Sequence, residues 1–169
     1  MDWAKVSGQN AAMFLLDFEK AYDRVEWEFI LMMLEAFGFL VEFYKWVKIL
    51  LKDASAQVEI NGSLSQTIKL NRSIRQGCPL APALFVIVAG ALYYILRDFT
   101  ISPKVEGVKL PNGSELINSQ LADDTTLFIE LTKQNMEAFE CKIKFLGEIS
   151  GAKISQAEST MPGWKEQPP

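Results

Sequence analysis

One stretch of the sequence, "GCPLAPALFVIVAGALYYIL" from Gly77 to Leu96, carries no charge over twenty residues. A run of this length either spans a membrane or forms the buried helix of a globular domain. Pro79 and Pro82 delay the helix start and leave about 15 helical residues, or roughly 22 Å, against a hydrocarbon core of ~30 Å. We therefore expect a buried core helix and no membrane association.

The other segments show both helical and strand periodicity. A short apolar run at 11–18 and the stretch 125–130 predict buried strands, and Asn61-Gly62 between alternating runs predicts a hairpin. A second hairpin is expected around the turn "PNG", and a last strand at 152–161. Apolar spacing predicts further helices over 26–38, 41–53 and 132–150, the last begun by Thr132 and ended by Gly151. Because no βαβ alternation occurs, we predict an α+β fold, an antiparallel sheet with helices packed on one face.

Composition narrows the possible chemistry. The 169 residues fit one domain. A domain that binds nucleic acid mainly through phosphate contacts should have an excess of basic side chains, and 17 basic against 21 acidic side chains do not give one. No histidine is present, which excludes His-based triads and the usual zinc sites. Cys78 and Cys141 follow no metal-ligand spacing, and "MDWAKVSGQN" is not a signal peptide. An intracellular location, nuclear or cytoplasmic rather than secreted, is expected.

Carboxylates remain as the candidate chemical groups. Asp17 ends the first apolar strand, and Asp123 and Asp124 stand at a strand reversal in "SQLADDTTLF". Acid pairs also occur in ordinary tight turns. If the two elements are adjacent, either the pKa of one acid rises or the acids together bind a hard dication. Oxygen ligands favour Mg²⁺ or Mn²⁺ as that dication. Because strand side chains alternate, we expect direct metal contacts from Asp17 and Asp123 and a supporting role for Asp124.

Four segments in one order resemble the palm motifs of reverse transcriptases. They are "FLLDFEKAYDRV", "RQGCPLAPALF", "LADD" and "SGAKISQAES", and they are most similar to the non-LTR (LINE-type) retrotransposon enzymes. The resemblance implies a polymerase palm over 11–160 that is an RNA-directed DNA polymerase, with Asp17, Asp123 and Asp124 as catalytic and metal-binding carboxylates. Two bound Mg²⁺ or Mn²⁺ ions would support transfer of a dNTP onto a primer 3′-hydroxyl.

The resemblance also implies roles for the residues around these carboxylates. Phe18, Tyr22, Gln76 and Gly77 match nucleotide-binding positions, and Arg75 and Leu121 match positions near the RNA template and DNA primer. Without the family, Tyr22 is equally an aromatic packed at a strand exit, and 75–77 a turn before Pro79.

The same resemblance leads us to expect that the fingers, thumb and endonuclease of a larger polyprotein lie outside this chain. Residues 1–10 are then a loose segment and 161–169 a frayed tail. By itself the palm would be inactive or weak. Two alternatives stay open, a catalytically silent palm that binds RNA or protein as a scaffold, and another palm enzyme such as a nucleotide cyclase.

Overall fold

The computed structural model of the chain describes residues 7–121, 124–155 and 159. Within them the elements follow one another along the chain as strands (β) and helices (α). They are β1 (Ala11–Leu16), α1 (Ala21–Arg24), α2 (Trp27–Ala36), α3 (Val41–Leu51), β2 (Ser55–Ala56), β3 (Glu59–Ile60), β4 (Ser63–Leu64), β5 (Ile68–Lys69), α4 (Ala81–Arg97), β6 (Val108–Lys109), β7 (Glu115–Leu116), β8 (Asn118–Leu121), β9 (Asp124–Glu130) and α5 (Lys133–Ser150).

The central sheet has three antiparallel strands, with β9 between β1 and β8. Alternate side chains of β9 are buried, Thr125, Leu127 and Ile129, whereas the residues between them are exposed or half-buried. β1 shows the same alternation, with its even-numbered residues buried. One face of the sheet therefore lies on the hydrophobic core and the other face is open, as period-two side-chain alternation requires.

Helix α4 is the predicted apolar helix, and it packs between α2 and α5. Its buried residues recur at helical spacing along one side, namely Ala81, Leu84, Phe85, Val88, Ala91, Leu92, Ile95 and Leu96. It has 17 residues rather than about 15, because a proline in the first helical turn needs no N–H partner there. No helix among the described residues is long and apolar enough to cross a membrane.

Helix α5 covers the core side of the sheet, where the Phe139 ring lies 5.7 Å from that of Phe14. Its ends agree with the sequence prediction. The Thr132 side chain accepts a hydrogen bond from the Asn135 N–H, and Gly151 follows the helix in the left-handed conformation, with φ 74°. Both ends are thus fixed by local chemistry that can be recognised in the sequence.

The Asn61-Gly62 hairpin is present but interrupted. β3 pairs with β4 next to the turn, and β2 pairs with β5 further out. Between these two pairs the Ser65 hydroxyl accepts a hydrogen bond from the Val58 N–H at 2.9 Å, which breaks the regular ladder. The predicted single hairpin is therefore two short ladders, and the residues of all four strands are exposed.

The two chain ends are only partly described. Gln9 exchanges hydrogen bonds with the Lys109 backbone, and the Asn10 amide donates to the Leu131 carbonyl at 3.1 Å. Of the last predicted strand, 152–161, the described part shows a single bridge, between Ile154 and Phe18. The loose segment and the frayed tail remain predictions for residues 1–6 and 161–169, which lie outside the described residues.

Candidate active site

The first candidate carboxylate follows directly after β1, and the register of the sheet determines what lies opposite. Leu16 pairs with Thr125 across the β1–β9 ladder. Asp17 follows this pair on one strand, and Asp124 precedes it on the other. If the same register continued by one step, Asp17 would lie opposite Asp124, with the parity of Leu15 and Thr126 and thus on the open face of the sheet. The ladder therefore pairs the neighbours of two acids that are more than a hundred residues apart in sequence.

The third carboxylate of the prediction, Asp123, lies outside the described residues. Its neighbours are described: Leu121 ends β8 and pairs with Asp124, which begins β9 and is exposed. Among the described residues, no group of three or more metal-binding side chains could hold an ion. The predicted set of three acids includes Asp123 and therefore remains a prediction.

The loop that carries Arg75, Gln76 and Gly77 is held against the segment after β1. The Ile74 N–H donates to the Tyr22 carbonyl at 2.7 Å, and the Ser73 N–H donates to the Val25 carbonyl at 2.9 Å. These bonds fix the start of the loop beside the end of β1. Gln76 and Gly77 are themselves exposed, and Gly77 has φ 80°, a conformation that favours glycine.

Tyr22 stacks on Phe85 of α4, with ring centroids 4.4 Å apart and an angle of 18° between the ring planes. The packing interpretation of Tyr22 is thus correct, since its ring contacts the core. Tyr22 is half-buried, so part of its side chain is accessible, and the nucleotide-binding role that the family resemblance implies stays a prediction. Phe18 is half-buried too and lines a small apolar cavity beside Ala21 and Phe85. Both aromatic rings therefore connect the end of β1 to α4.

A tether between the end of α5 and the segment after β1 was not predicted. The Arg24 Nε donates to the Gly151 carbonyl at 3.1 Å, and the Glu26 N–H donates to the Ser150 carbonyl at 3.0 Å. Further along, the Ser155 N–H donates to the Asp17 carbonyl at 2.9 Å. Such contacts join distant parts of the chain, so the only sequence signal was the conspicuous "SGAKISQAES" motif itself.

One ion pair reinforces this tether on the surface. Lys153 Nζ lies 2.7 Å from a Glu19 carboxylate oxygen, and the hydrogen bond from Lys153 lowers the pKa of Glu19 below its ordinary value. The backbone adds a further bond, from the Glu19 N–H to the Lys153 carbonyl at 2.8 Å. The segment after α5 therefore runs along residues 17–26 and helps to shape the site.

Several solved structures share the fold of this chain. The chain aligns with telomerase from Candida albicans in complex with a TWJ fragment of telomeric RNA, at a TM-score of 0.66 over 99% of this chain and 29% of that one. Apo telomerase from Candida tropicalis gives a TM-score of 0.65 over 95% of this chain and 30% of that one. With 12% and 15% identical residues, these likenesses establish a shared mixed α+β fold.

Sequence comparison is more specific. The family model described as reverse transcriptase (RNA-dependent DNA polymerase) matches residues 2–162, so the chain belongs to the reverse transcriptase family. It is 29% identical over 161 residues, 95% of its length, to the transposon TX1 uncharacterized 149 kDa protein of Xenopus laevis. Over 123 residues, 73% of its length, it is 27% identical to the Pol polyprotein of retrotransposable element R2 from Popillia japonica. The predicted resemblance to non-LTR retrotransposon enzymes is confirmed.

The chain spans 12% of the TX1 protein and 20% of this R2 polyprotein. It thus corresponds to one segment of much longer relatives. Any activity of those whole proteins is therefore a proposal for this chain.

Proposed function

We propose that the chain is the palm of an RNA-directed DNA polymerase, in which Asp17, Asp123 and Asp124 hold divalent metal for nucleotidyl transfer. The observation that supports the proposal is the sheet register, in which Leu16, the residue before Asp17, pairs with Thr125, the residue after Asp124. Membership of the reverse transcriptase family supports the same assignment. In the reaction, the primer 3′-oxygen bonds to the α-phosphorus of a dNTP while the bond to pyrophosphate breaks.

The donor set fits the metal. Carboxylate oxygens without histidine or paired cysteine ligands suit hard dications such as Mg²⁺ and Mn²⁺. When bound, such ions stabilise charge on the attacking and leaving oxygens. Asp17 and Asp124 would ligate from neighbouring strands, and Asp123, the residue before Asp124, completes the proposed set. The register, continued by one step, gives Asp124 the face of Asp17, so we assign Asp124 a direct contact in place of the supporting role expected from the sequence. Asp123 then contributes from the strand reversal.

The nucleotide would lie beside the loop and the aromatic residues after β1. Tyr22 and Phe18 would contact its sugar, and Gln76 and Gly77 would approach it through the loop that Ile74 fixes to Tyr22. Arg75 is exposed in the same loop and offers a partner for a template phosphate. Leu121, paired with Asp124, would lie near the primer end. The proposed ligands are thus an RNA template, a DNA primer and a dNTP.

Metal binding is the most direct test. Mn²⁺ binding, measured as the loss of free-ion signal in electron paramagnetic resonance, should weaken at least tenfold in Asp17→Asn and in Asp124→Asn. The matched control is Asp53→Asn, an exposed acid after α3 whose φ of 57° asparagine also tolerates. Equal Mn²⁺ affinity in all four proteins would refute the proposed metal site.

Catalysis needs a separate assay. On poly(rA)/oligo(dT) with dTTP and Mg²⁺, we expect the isolated chain to extend the primer weakly or not at all, because its net charge of −4 opposes phosphate binding. Robust synthesis that Asp123→Asn abolishes would refute the weak activity and support the palm assignment. Intact Mn²⁺ binding without any synthesis would support a palm that needs other parts of a larger protein.

A further inference from the structure

Gln120 makes a contact that neither its sequence position nor the family assignment accounts for. It lies on β8, immediately before Leu121, and it pairs with Thr125 of β9. Its side-chain Nε2 donates a hydrogen bond to the Ala89 carbonyl at 3.1 Å, and the same atom lies 3.4 Å from the Thr125 hydroxyl. One amide thus joins the acid-bearing hairpin to the middle of α4.

The surroundings make this bond specific. Gln120 borders a small apolar cavity, together with Phe85, Val88 and Leu92 of α4. A carbonyl oxygen has two lone pairs, so Ala89 can accept this bond in addition to one within its helix. Because an amide without a partner in apolar surroundings is costly, the bond to Ala89 favours this arrangement of the half-buried Gln120 side chain.

The position of β8 explains why such an anchor matters. In the described part of the chain, β8 is an outer strand of the central sheet, and only β9 pairs along its length. The last pair of that ladder is Leu121 with Asp124, which lies next to the candidate metal site. A contact from β8 to the helix layer therefore adds to strand pairing at this end of the hairpin. The Gln120 bond supplies that contact one residue before the end.

We propose that Gln120 is a positioning residue, which sets the β8–β9 hairpin against α4 and thereby holds Asp124 at the distance from Asp17 that metal binding needs. This inference rests on the proposed metal site. The inference adds to that site a residue that contacts neither metal nor nucleotide. Because metal affinity depends on ligand placement within about 0.5 Å, a hairpin free to shift loses affinity without unfolding.

The test uses Gln120→Met, which keeps the length of the side chain and removes its donor. We expect its Mn²⁺ affinity to fall about tenfold, the lower end of the effect of partners that orient metal ligands. Its melting temperature should fall by only about 2–4 °C, the effect of losing one hydrogen bond in a domain of this size. Gln120→Leu, a second variant without the donor, should behave alike. The control Ser119→Ala changes the exposed neighbour and should alter neither quantity.

The outcomes separate the two proposals. If Asp17→Asn abolishes Mn²⁺ binding while both Gln120 variants bind like the unmodified protein, the positioning role is wrong and the metal site stands. If Asp17→Asn has no effect, the metal site itself is wrong, and the positioning role falls with it. A large loss of stability with unchanged affinity of the folded protein would assign Gln120 to structure alone and would overturn the inference.

Discussion

The tether at Gly151 yields a prediction whose magnitude follows from geometry. A Cβ atom added at Gly151 would lie 2.4 Å from the Arg24 carbonyl oxygen and 3.1 Å from Glu26 Cγ. Gly113 provides a matched control, since its φ of 79° is close to the 74° of Gly151 and a Cβ there has no neighbour within 4 Å. Gly151→Ala and Gly113→Ala therefore share the left-handed backbone and differ in the collision.

The loss of stability that both substitutions share is small. Alanine in the left-handed region costs about 1–2 kcal/mol, and the reduced freedom of the unfolded chain offsets about 0.4–1 kcal/mol of it. Gly113→Ala should thus lower the free energy of unfolding by about 1 kcal/mol. Gly151→Ala must also move backbone, which disturbs the bonds from Arg24 to Gly151 and from Glu26 to Ser150. At about 0.5–1.5 kcal/mol each, plus the displacement, the total is about 2–4 kcal/mol.

Urea unfolding of the two variants and the unmodified protein, followed by tryptophan fluorescence, measures both values. The same proteins should differ in Mn²⁺ binding, because the segment after Gly151 bonds to the Asp17 backbone through Ser155. We expect weaker binding in Gly151→Ala and unchanged binding in Gly113→Ala. Equal losses of stability in the two variants would refute the close approach of Gly151 to Arg24.

Two further substitutions test the helix layer. Gly90→Ala should raise the free energy of unfolding, measured by urea unfolding, by about 0.5–1 kcal/mol, because Gly90 lies inside α4, where alanine is favoured. The nearest atom to an added Cβ is Phe37 Cζ at 3.5 Å, an ordinary contact distance. A loss of stability would show that the added methyl group does not fit there. Lys142 is fully buried, its Nζ donates to the Ile95 and Asp98 carbonyls, and burial lowers its pKa below the usual 10.5. The unfolded state then binds this proton more tightly than the folded state, so deprotonation favours folding. The free energy of unfolding of the unmodified protein, minus that of Lys142→Met, should therefore rise with pH between the lowered pKa and 10.5. A difference that stays flat or falls over this range would contradict the lowered pKa.

Much of the fold follows from local signals in the sequence. The apolar helix α4, the Thr132 cap, the Gly151 stop and the Asn61-Gly62 turn each depend on neighbouring residues, so the sequence contains their causes. The interrupted hairpin shows the limit, because the Ser65 hydroxyl competes with the strand ladder for a backbone N–H. Alternating apolar residues do not reveal such competition.

The candidate site depends on pairings that no local pattern contains. The sequence predicted a strand that leads up to Asp17 and a strand at the acid pair, and the structure has them as β1, which ends at Leu16, and β9, which begins at Asp124. Their register was not predictable, since the ladder joins residues more than a hundred positions apart. Gln120 in particular resembled an ordinary polar strand residue until α4 was in place beside it. The family motifs predicted Asp123 and Asp124 as partners of Asp17, but its backbone contacts with Ser155 and Ser159 could be found only from the fold.

The unfavourable net charge is an average over two unlike regions. Residues 41–75, which include α3, the interrupted hairpin and the start of the Gln76-Gly77 loop, carry six basic and three acidic side chains. The rest of the chain carries eleven basic and eighteen acidic ones. A phosphate backbone would therefore be attracted to residues 41–75 and repelled by the more acidic remainder of the chain. Charges more than about 10 Å apart are largely screened from one another at 0.1 M salt. Arg75 ends the basic region beside the loop that Ile74 fixes to Tyr22, which is where the proposed template contact requires positive charge.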